Sequence, residues 1–163
     1  NSHTAVSNGQ HLQILSLLEK ESLDPGKLQI ENMNHILVQE TEPRRLEKML
    51  RLCLPILLNK YDFSYILQWF HPIRELNIPL PTLKKIDTMA ALKDDPENQL
   101  HLGELYFEFH QFERAIECFS FEMELHPHDV KPIQWLAKAY WELDKKEESF
   151  AYQNIAATMQ KRA

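Results

Sequence analysis

The chain has 163 residues, which suits a single domain of ordinary size, and its formal net charge is −6. Only three glycines occur, so the glycine-rich loops that cradle phosphates are missing, and nucleotide binding by those routes is excluded. No stretch approaches the roughly 20 apolar residues of a membrane-spanning helix, and no basic stripe of the kind that binds nucleic acid is visible.

The first 39 residues predict a polar start followed by two helices. Residues 1–9 are polar and are expected to be a disordered start or the remnant of a tag. Leucine and isoleucine recur at helical spacing over residues 10–20, which predicts a short amphipathic helix. After a turn at 24–26, a second helix is predicted to run from about 25 to 39. Its apolar face is formed by Ile30, Met33 and Leu37, with Ile36 beside it.

A third helix is predicted from about residue 41 to residue 60, with apolar residues at helical spacing. Pro55 falls inside this helix. A proline there removes a backbone hydrogen bond, and its ring clashes with the preceding turn. The sequence therefore predicts a kink or a split near Leu52.

Two more helices are predicted before residue 96. Asp62 is a candidate cap for the first of them, and Pro72 is expected to disturb its end. The stretch 77–81 contains two prolines and breaks the chain, and helical spacing then resumes to about residue 93. Residues 10–95 are therefore expected to form a helical region, in which 62–95 is a candidate for a degenerate repeat.

The strongest signal in the sequence is a repetition with a period of 34 residues. The pattern of Leu102 to Tyr106 returns at Leu136 to Tyr140. After the first copy, Ala115, Phe119 and Pro127 follow at the spacing that is typical of the tetratricopeptide repeat (TPR). The C-terminal part of the chain resembles two such repeats, over 96–129 and 130–163.

The resemblance implies an all-α fold of antiparallel helix pairs that form a short right-handed TPR-like superhelix. It places helices at about 97–109, 112–125, 131–143 and 146–160. The small residues Gly103 and Ala137 would let paired helices approach closely. The residues expected to be buried are Leu102, Tyr106, Ala115, Phe119, Leu136 and Tyr140.

The second copy departs from the family's pattern at three positions. Ser149 stands in place of an alanine, Gln153 in place of an aromatic residue and Lys161 in place of a proline. No capping helix follows it within the sequence. These departures indicate a terminal repeat, a truncated array, or an end that another chain covers, so that homo-oligomerisation through this end is an alternative.

In the family that this segment resembles, the first helix of each repeat lines a concave groove. The groove candidates are Leu100, Glu104 and Phe107 in the first copy, and Gln134, Lys138 and Trp141 in the second. Phe107 and Trp141 stand one period apart, and large aromatic side chains are frequent anchors of binding sites. The alternative is that both pack against a neighbouring helix.

Neither a catalytic site nor a metal site is predicted, and no cofactor is expected. His126-Pro127-His128 is the tightest group of histidines, but no cysteine or carboxylate lies at ligand spacing from it. Sequence signatures of hydrolases and metalloproteases are absent. Cys53 and Cys118 stand singly in apolar contexts, which indicates reduced core residues and a cytoplasmic protein.

The sequence as a whole predicts a non-catalytic protein–protein interaction module, a scaffold or adaptor that binds a peptide or protein segment in the groove. One alternative is a regulatory or sensor domain of a larger regulator that contains such repeats. Another is a structural homo-oligomer. The expected partner is a protein or peptide, not nucleic acid, and no membrane span is expected.

Overall fold

The computed structural model of the chain describes residues 29–162, and in that range it contains eight α-helices and no strand. The predicted polar start at 1–9 and the predicted helix at 10–20 lie outside the described residues. The helices are α1 (Ile30–Leu37), α2 (Pro43–Lys60), α3 (Phe63–Arg74), α4 (Pro81–Leu92), α5 (Gln99–Glu108), α6 (Phe112–Leu125), α7 (Val130–Glu142) and α8 (Lys146–Arg162). The all-α class is confirmed for this range. None of these helices is long and apolar enough to cross a membrane.

The chain forms two compact units, and the division falls between Asp87 and Thr88, inside α4. The boundary predicted from the sequence, between residues 95 and 96, comes after that helix. In the first unit, α1 packs against α2 and α3. Its core consists of side chains that are at most 1% exposed, among them Ile30, Leu37, Leu46, Met49, Cys53, Leu57, Ile66, Phe70 and Ile73.

Two hydrogen bonds fasten α1 to α3. The buried indole of Trp69 donates from Nε1 to the carbonyl of Ile30 at 2.8 Å, and Asn34 Nδ2 donates to the carbonyl of Trp69 at 3.2 Å. A buried indole N–H needs such an acceptor, because leaving it unpaired costs the full desolvation of the group. The expected apolar face of α1 is confirmed at Met33 and Leu37, although the helix begins only at Ile30.

Pro55 does not split α2, so that part of the prediction is wrong. The helix runs from Pro43 to Lys60, with Pro55 inside it. Glu42 caps its start, and its carboxylate accepts hydrogen bonds from the backbone N–H groups of Arg44 and Arg45. A proline costs a helix interior about 3 kcal/mol. The burial of Leu54, Ile56, Leu57 and Leu58 around it offsets that cost.

The expected cap of α3 is confirmed, but the helix does not stop at Pro72. The carboxylate of Asp62 accepts a hydrogen bond from the backbone N–H of Tyr65 at 2.9 Å. The helix then passes through Pro72 and ends at Arg74. Buried side chains on both sides of the proline, Phe70 and Ile73, hold this last turn against the core.

In the second unit, α5 packs on α6, α6 on α7 and α7 on α8. The four helices agree with the predicted bounds to within two residues. Five of the six residues expected to be buried are at most 8% exposed, and Ala115 and Phe119 are fully enclosed. Tyr140 is the exception. It is only half-buried, and its ring stacks on the partly exposed ring of Tyr152, with the centroids 5.5 Å apart.

The turns within the two helix pairs have the same geometry one period apart. His110 and Asp144 both have a left-handed backbone, with φ of 59° and 57°. The N–H of Gln111 bonds the carbonyl of Tyr106 at 2.8 Å, and the N–H of Lys145 bonds that of Tyr140 at 2.9 Å. Each turn is a Schellman motif, which closes a helix with one left-handed residue. The 34-residue period is therefore present in the backbone as well as in the sequence.

Small residues stand where the paired helices cross. A Cβ added to Gly103 would lie 2.5 Å from Cε1 of Phe119, so the predicted close approach of α5 and α6 is confirmed. In the second pair, Ser149 is fully buried, and its hydroxyl donates to the carbonyl of Ala137 at 2.7 Å. The serine that departs from the family's pattern thus fits the crossing and adds a hydrogen bond to it.

Candidate functional site

A cavity of about 560 Å³ opens between α7 and α8 in the second unit. On α7 it is lined by Gln134, Ala137, Lys138, Trp141 and Glu142. On α8 it is lined by Gln153, Ala156, Ala157 and Gln160. Each helix contributes positions spaced by three and four residues, which form one continuous stripe along a helix. The cavity is therefore a groove between two helices.

Four of the six groove candidates lie together at this cavity. Gln134, Lys138 and Trp141 line it from α7, and Phe107 lines it from α5. The other two, Leu100 and Glu104, are half-buried on α5 and do not line it. The structure thus gathers the second-copy candidates and only one from the first copy.

Phe107 and Trp141 stand one period apart but differ in exposure. Phe107 is half-buried, and its ring meets those of Phe112 and Trp135 edge-on, each at a centroid distance of 5.1 Å. Trp141 is 48% exposed, and its ring contacts Phe150, which is 50% exposed. Phe107 thus packs largely against a neighbouring helix, which was the alternative to groove exposure, whereas Trp141 presents about half of its surface to solvent.

Lys138 lines the groove, and Lys146 contacts an aromatic ring of the lining. Lys138 Nζ lies 4.6 Å from the centroid of Trp135, and Lys146 Nζ lies 5.5 Å from that of Trp141. Such cation–π contacts contribute about 0.5–1 kcal/mol at exposed sites. They hold the ammonium groups near the groove while leaving them accessible.

In comparisons with known proteins, no model of a protein family matches the chain, and no curated protein matches it.

The chemistry of the groove follows from its own side chains. It offers an aromatic surface at Trp141, a cation at Lys138 and amide groups at Gln134 and Gln153. Alanines at 137, 156 and 157 leave room between them.

A second cavity, of about 450 Å³, lies between α5 and α6 and includes Tyr106, Arg114 and Cys118. Burial raises the pKa of the Cys118 thiol to about 12, and it also raises the pKa of Cys53. Both cysteines are free and buried, as the sequence indicated. A thiol that stays protonated at neutral pH is a poor nucleophile, so this cavity offers no activated cysteine.

The histidine group at 126–128 does not form a metal site in the structure. His126 and His128 are exposed, and the nearest acidic contact of His126 is Glu122, at 3.7 Å. Over residues 29–162, no three side chains of His, Cys, Asp or Glu come together as metal ligands would.

Sequence reasoning missed the α8 side of the groove. It placed the groove on the first helix of each repeat, whereas Gln153, Ala156, Ala157 and Gln160 belong to the second helix of the second pair. A signal was present in the sequence. Two alanines and two glutamines stand at helical spacing, where a closed core would have larger apolar residues.

Proposed function

We propose that the chain is a non-catalytic protein–protein interaction module, a scaffold or adaptor, in which residues 96–162 form two TPR-like repeats of a short right-handed superhelix. The 34-residue period in sequence and in turn geometry supports the repeat assignment. A partner segment binds in the groove between α7 and α8, against Phe107, Gln134, Lys138 and Trp141. The observation that carries the proposal is the half-exposed Trp141 at the edge of a groove of about 560 Å³.

An exposed tryptophan at a groove favours a protein partner for energetic reasons. Trp141 and Phe150 present adjoining aromatic surface to water, and covering such surface is favourable at roughly 25 cal/mol per Å². Tryptophan is enriched among the few residues that dominate binding energy at protein interfaces. The lysine and glutamines around it resemble the polar rim of an interface.

A non-catalytic role agrees with the state of the thiols. Cys53 and Cys118 are both held in the protonated form by burial. The histidines at 126 and 128 are exposed on a loop, and neither lines the groove.

The test is capture of partners from the native cell by the immobilised chain, with wild type beside Trp141→Ala. The alanine variant should weaken capture about 30-fold, since truncating an aromatic anchor costs about 2 kcal/mol. The matched control is Ile155→Ala, which removes a side chain of similar exposure from another face of α8. Capture that is unchanged by Trp141→Ala would contradict the proposal, as would equal losses in both variants.

A further inference from the structure

The solvent-facing side of α2, in the first unit, carries a row of cations. Arg44, Lys48 and Arg51 follow one another at spacings of four and three residues, which places them along one face of a helix, and Arg45 lies beside the row. All four residues are exposed. The row extends over about 10 Å, since each residue of a helix adds about 1.5 Å. We call these four residues the basic face.

The charge of α2 is opposite to that of the rest of the chain. Of the 18 basic and 24 acidic residues in the sequence, this helix holds five and one, respectively. The helix is therefore net positive, and the remainder of the chain is net negative. Such a concentration of one sign of charge is a property of the surface, and packing α2 into the core does not require it.

The carboxylates nearest to the basic face along the chain are already used in hydrogen bonds. Glu42 accepts from two backbone N–H groups in the first turn of α2, at 3.2 and 2.9 Å. Glu47 accepts from the N–H and the hydroxyl of Thr82, at 3.0 and 2.6 Å. In the described part of the chain, the side chains of Arg44 and Lys48 form no ion pair. Both cations are therefore accessible to a ligand.

The position of the basic face is unfavourable for the stability of α2. The first turn of a helix carries a partial positive charge, which favours acidic side chains and disfavours basic ones. α2 has no acidic residue in its first turn and has Arg44 and Arg45 there instead. Like charges at spacings of three and four residues also repel one another. Cations that lower the stability of their own helix indicate a use other than folding.

The composition of the basic face favours an acidic segment of another protein as its ligand. Three of the four cations are arginines, whose planar groups form paired hydrogen bonds with carboxylates. Nucleic-acid binders commonly make about 6–10 phosphate contacts, more than this row offers. Helices that lie on membranes combine cations with inserted apolar side chains. The large exposed apolar residues of the described chain lie on α6, α7 and α8, and none lies on α2.

We infer that the basic face binds an acidic segment of a partner protein, whose carboxylates pair with Arg44, Lys48 and Arg51. The face belongs to the first unit, so this inference goes beyond the groove between α7 and α8 and does not rest on it. Complementary charge supplies specificity and faster association at such a surface.

The probe is a fluorescent, alanine-rich peptide of about 15 residues, with glutamates at successive spacings of four and three residues along one helical face. The same peptide with glutamines in place of the glutamates is its control. Both are titrated against the full chain by fluorescence anisotropy at low salt. The acidic peptide should bind at least about tenfold more tightly than the control, and the difference should shrink towards about 1 M salt, where charges are screened.

Two double variants locate the binding. Arg44→Gln with Lys48→Gln removes two cations of the basic face and should weaken binding of the acidic peptide about tenfold, because each exposed ion pair contributes up to about fivefold. Lys131→Gln with Lys145→Gln makes the same change in net charge at exposed positions of the second unit, and it should leave binding unchanged.

Urea denaturation separates a binding role of the cations from a structural one. Arg44→Gln with Lys48→Gln should have the same urea midpoint as the wild type or a higher one, since it relieves repulsion at the start of α2. A clearly lower midpoint would show that these cations support the fold, and it would count against the inference.

Equal binding of the two peptides, or binding that survives Arg44→Gln with Lys48→Gln, would overturn the inference. So would tighter binding of a single-stranded oligonucleotide, or of vesicles of phosphatidylserine and phosphatidylcholine, than of the acidic peptide. A dimer that sedimentation detects at low salt, and that this double variant abolishes, would assign the basic face to a second copy of the chain and not to a partner protein.

Discussion

Gly103 on α5 lies against the ring of Phe119 on α6, with no room for a side chain between them. A Cβ at residue 103 would stand 2.5 and 2.8 Å from two ring carbons and 3.0 Å from the Cβ of Cys118. The ring cannot swing aside, since it is fully buried and stacked on Trp135.

Gly103→Leu should therefore force the two helices apart and lower the free energy of unfolding by about 1–3 kcal/mol or more. Urea denaturation followed by circular dichroism measures the change. Ala151→Leu is the control, because it adds the same bulk at an exposed helical position. A Gly103→Leu variant that melts with the wild type would show that this crossing is not tight.

Trp69→Phe should lower the free energy of unfolding by about 1–3 kcal/mol, since it leaves the buried carbonyl of Ile30 without its indole donor. The same substitution at Trp141 should change stability by less than about 0.5 kcal/mol, because that ring is half-exposed. Equal effects of the two substitutions in urea titrations would refute the assigned role of the indole.

The pH dependence of stability has a specific contributor in Glu31. Hydrogen bonds from Lys60, at 2.7 Å, and from the Tyr61 hydroxyl lower the pKa of its carboxyl from 4.5 to about 2. A depressed pKa in the folded state means that the contribution is present above pH 4.5 and is lost as the pH falls towards 2.

Glu31→Gln should accordingly be less stable than wild type at neutral pH, and the difference should fade between about pH 4.5 and pH 2. The readout is the urea midpoint of both proteins across that range. Glu148→Gln, at an exposed position of α8, should have the same urea midpoint as the wild type across the whole pH range. A gap between Glu31→Gln and wild type that persists unchanged at pH 2 would speak against this ion pair.

Two substitutions of Asp144, the left-handed residue of the second turn, should change the stability of the protein in opposite directions. Asp144→Gly should leave stability unchanged or raise it by up to about 1 kcal/mol, because glycine adopts positive φ freely. Asp144→Val should lower it by about 1–2 kcal/mol, since a β-branched side chain is strained in that conformation. Loss of the exposed contact with Lys146, at 3.9 Å, matters little in either variant. Thermal melts that rank valine above glycine would contradict the turn geometry.

The helices of residues 96–162 were predictable because their signals are local and occur twice. The small residue at 103, the aromatic at 106 and the alanine at 115 each specify a contact inside one helix pair. The partial exposure of Tyr140 was not predictable in this way, because the pattern does not show how fully α8 covers its ring. The left-handed turns at His110 and Asp144 carry no glycine and so gave no signal.

The prolines at 55 and 72 misled for a related reason. A rule based on the local sequence counts only the hydrogen bond that the proline removes. Whether a helix continues also depends on how much apolar surface its next turn buries, and residues 56–58 and 73 bury most of theirs. Only the α7 side of the candidate groove was predicted from the sequence, because the TPR pattern points to it. The α8 side exists because alanines leave space there, and an empty volume depends on how the helices pack, which the sequence does not show directly.

Glu104 in the first copy corresponds to Lys138 in the second, one period of 34 residues later. Both residues stand on the first helix of pairs whose turns have the same backbone geometry. The same scaffold thus accepts either sign of charge at this position, so that the two copies can diverge in the surfaces they present without any change in the fold that supports them.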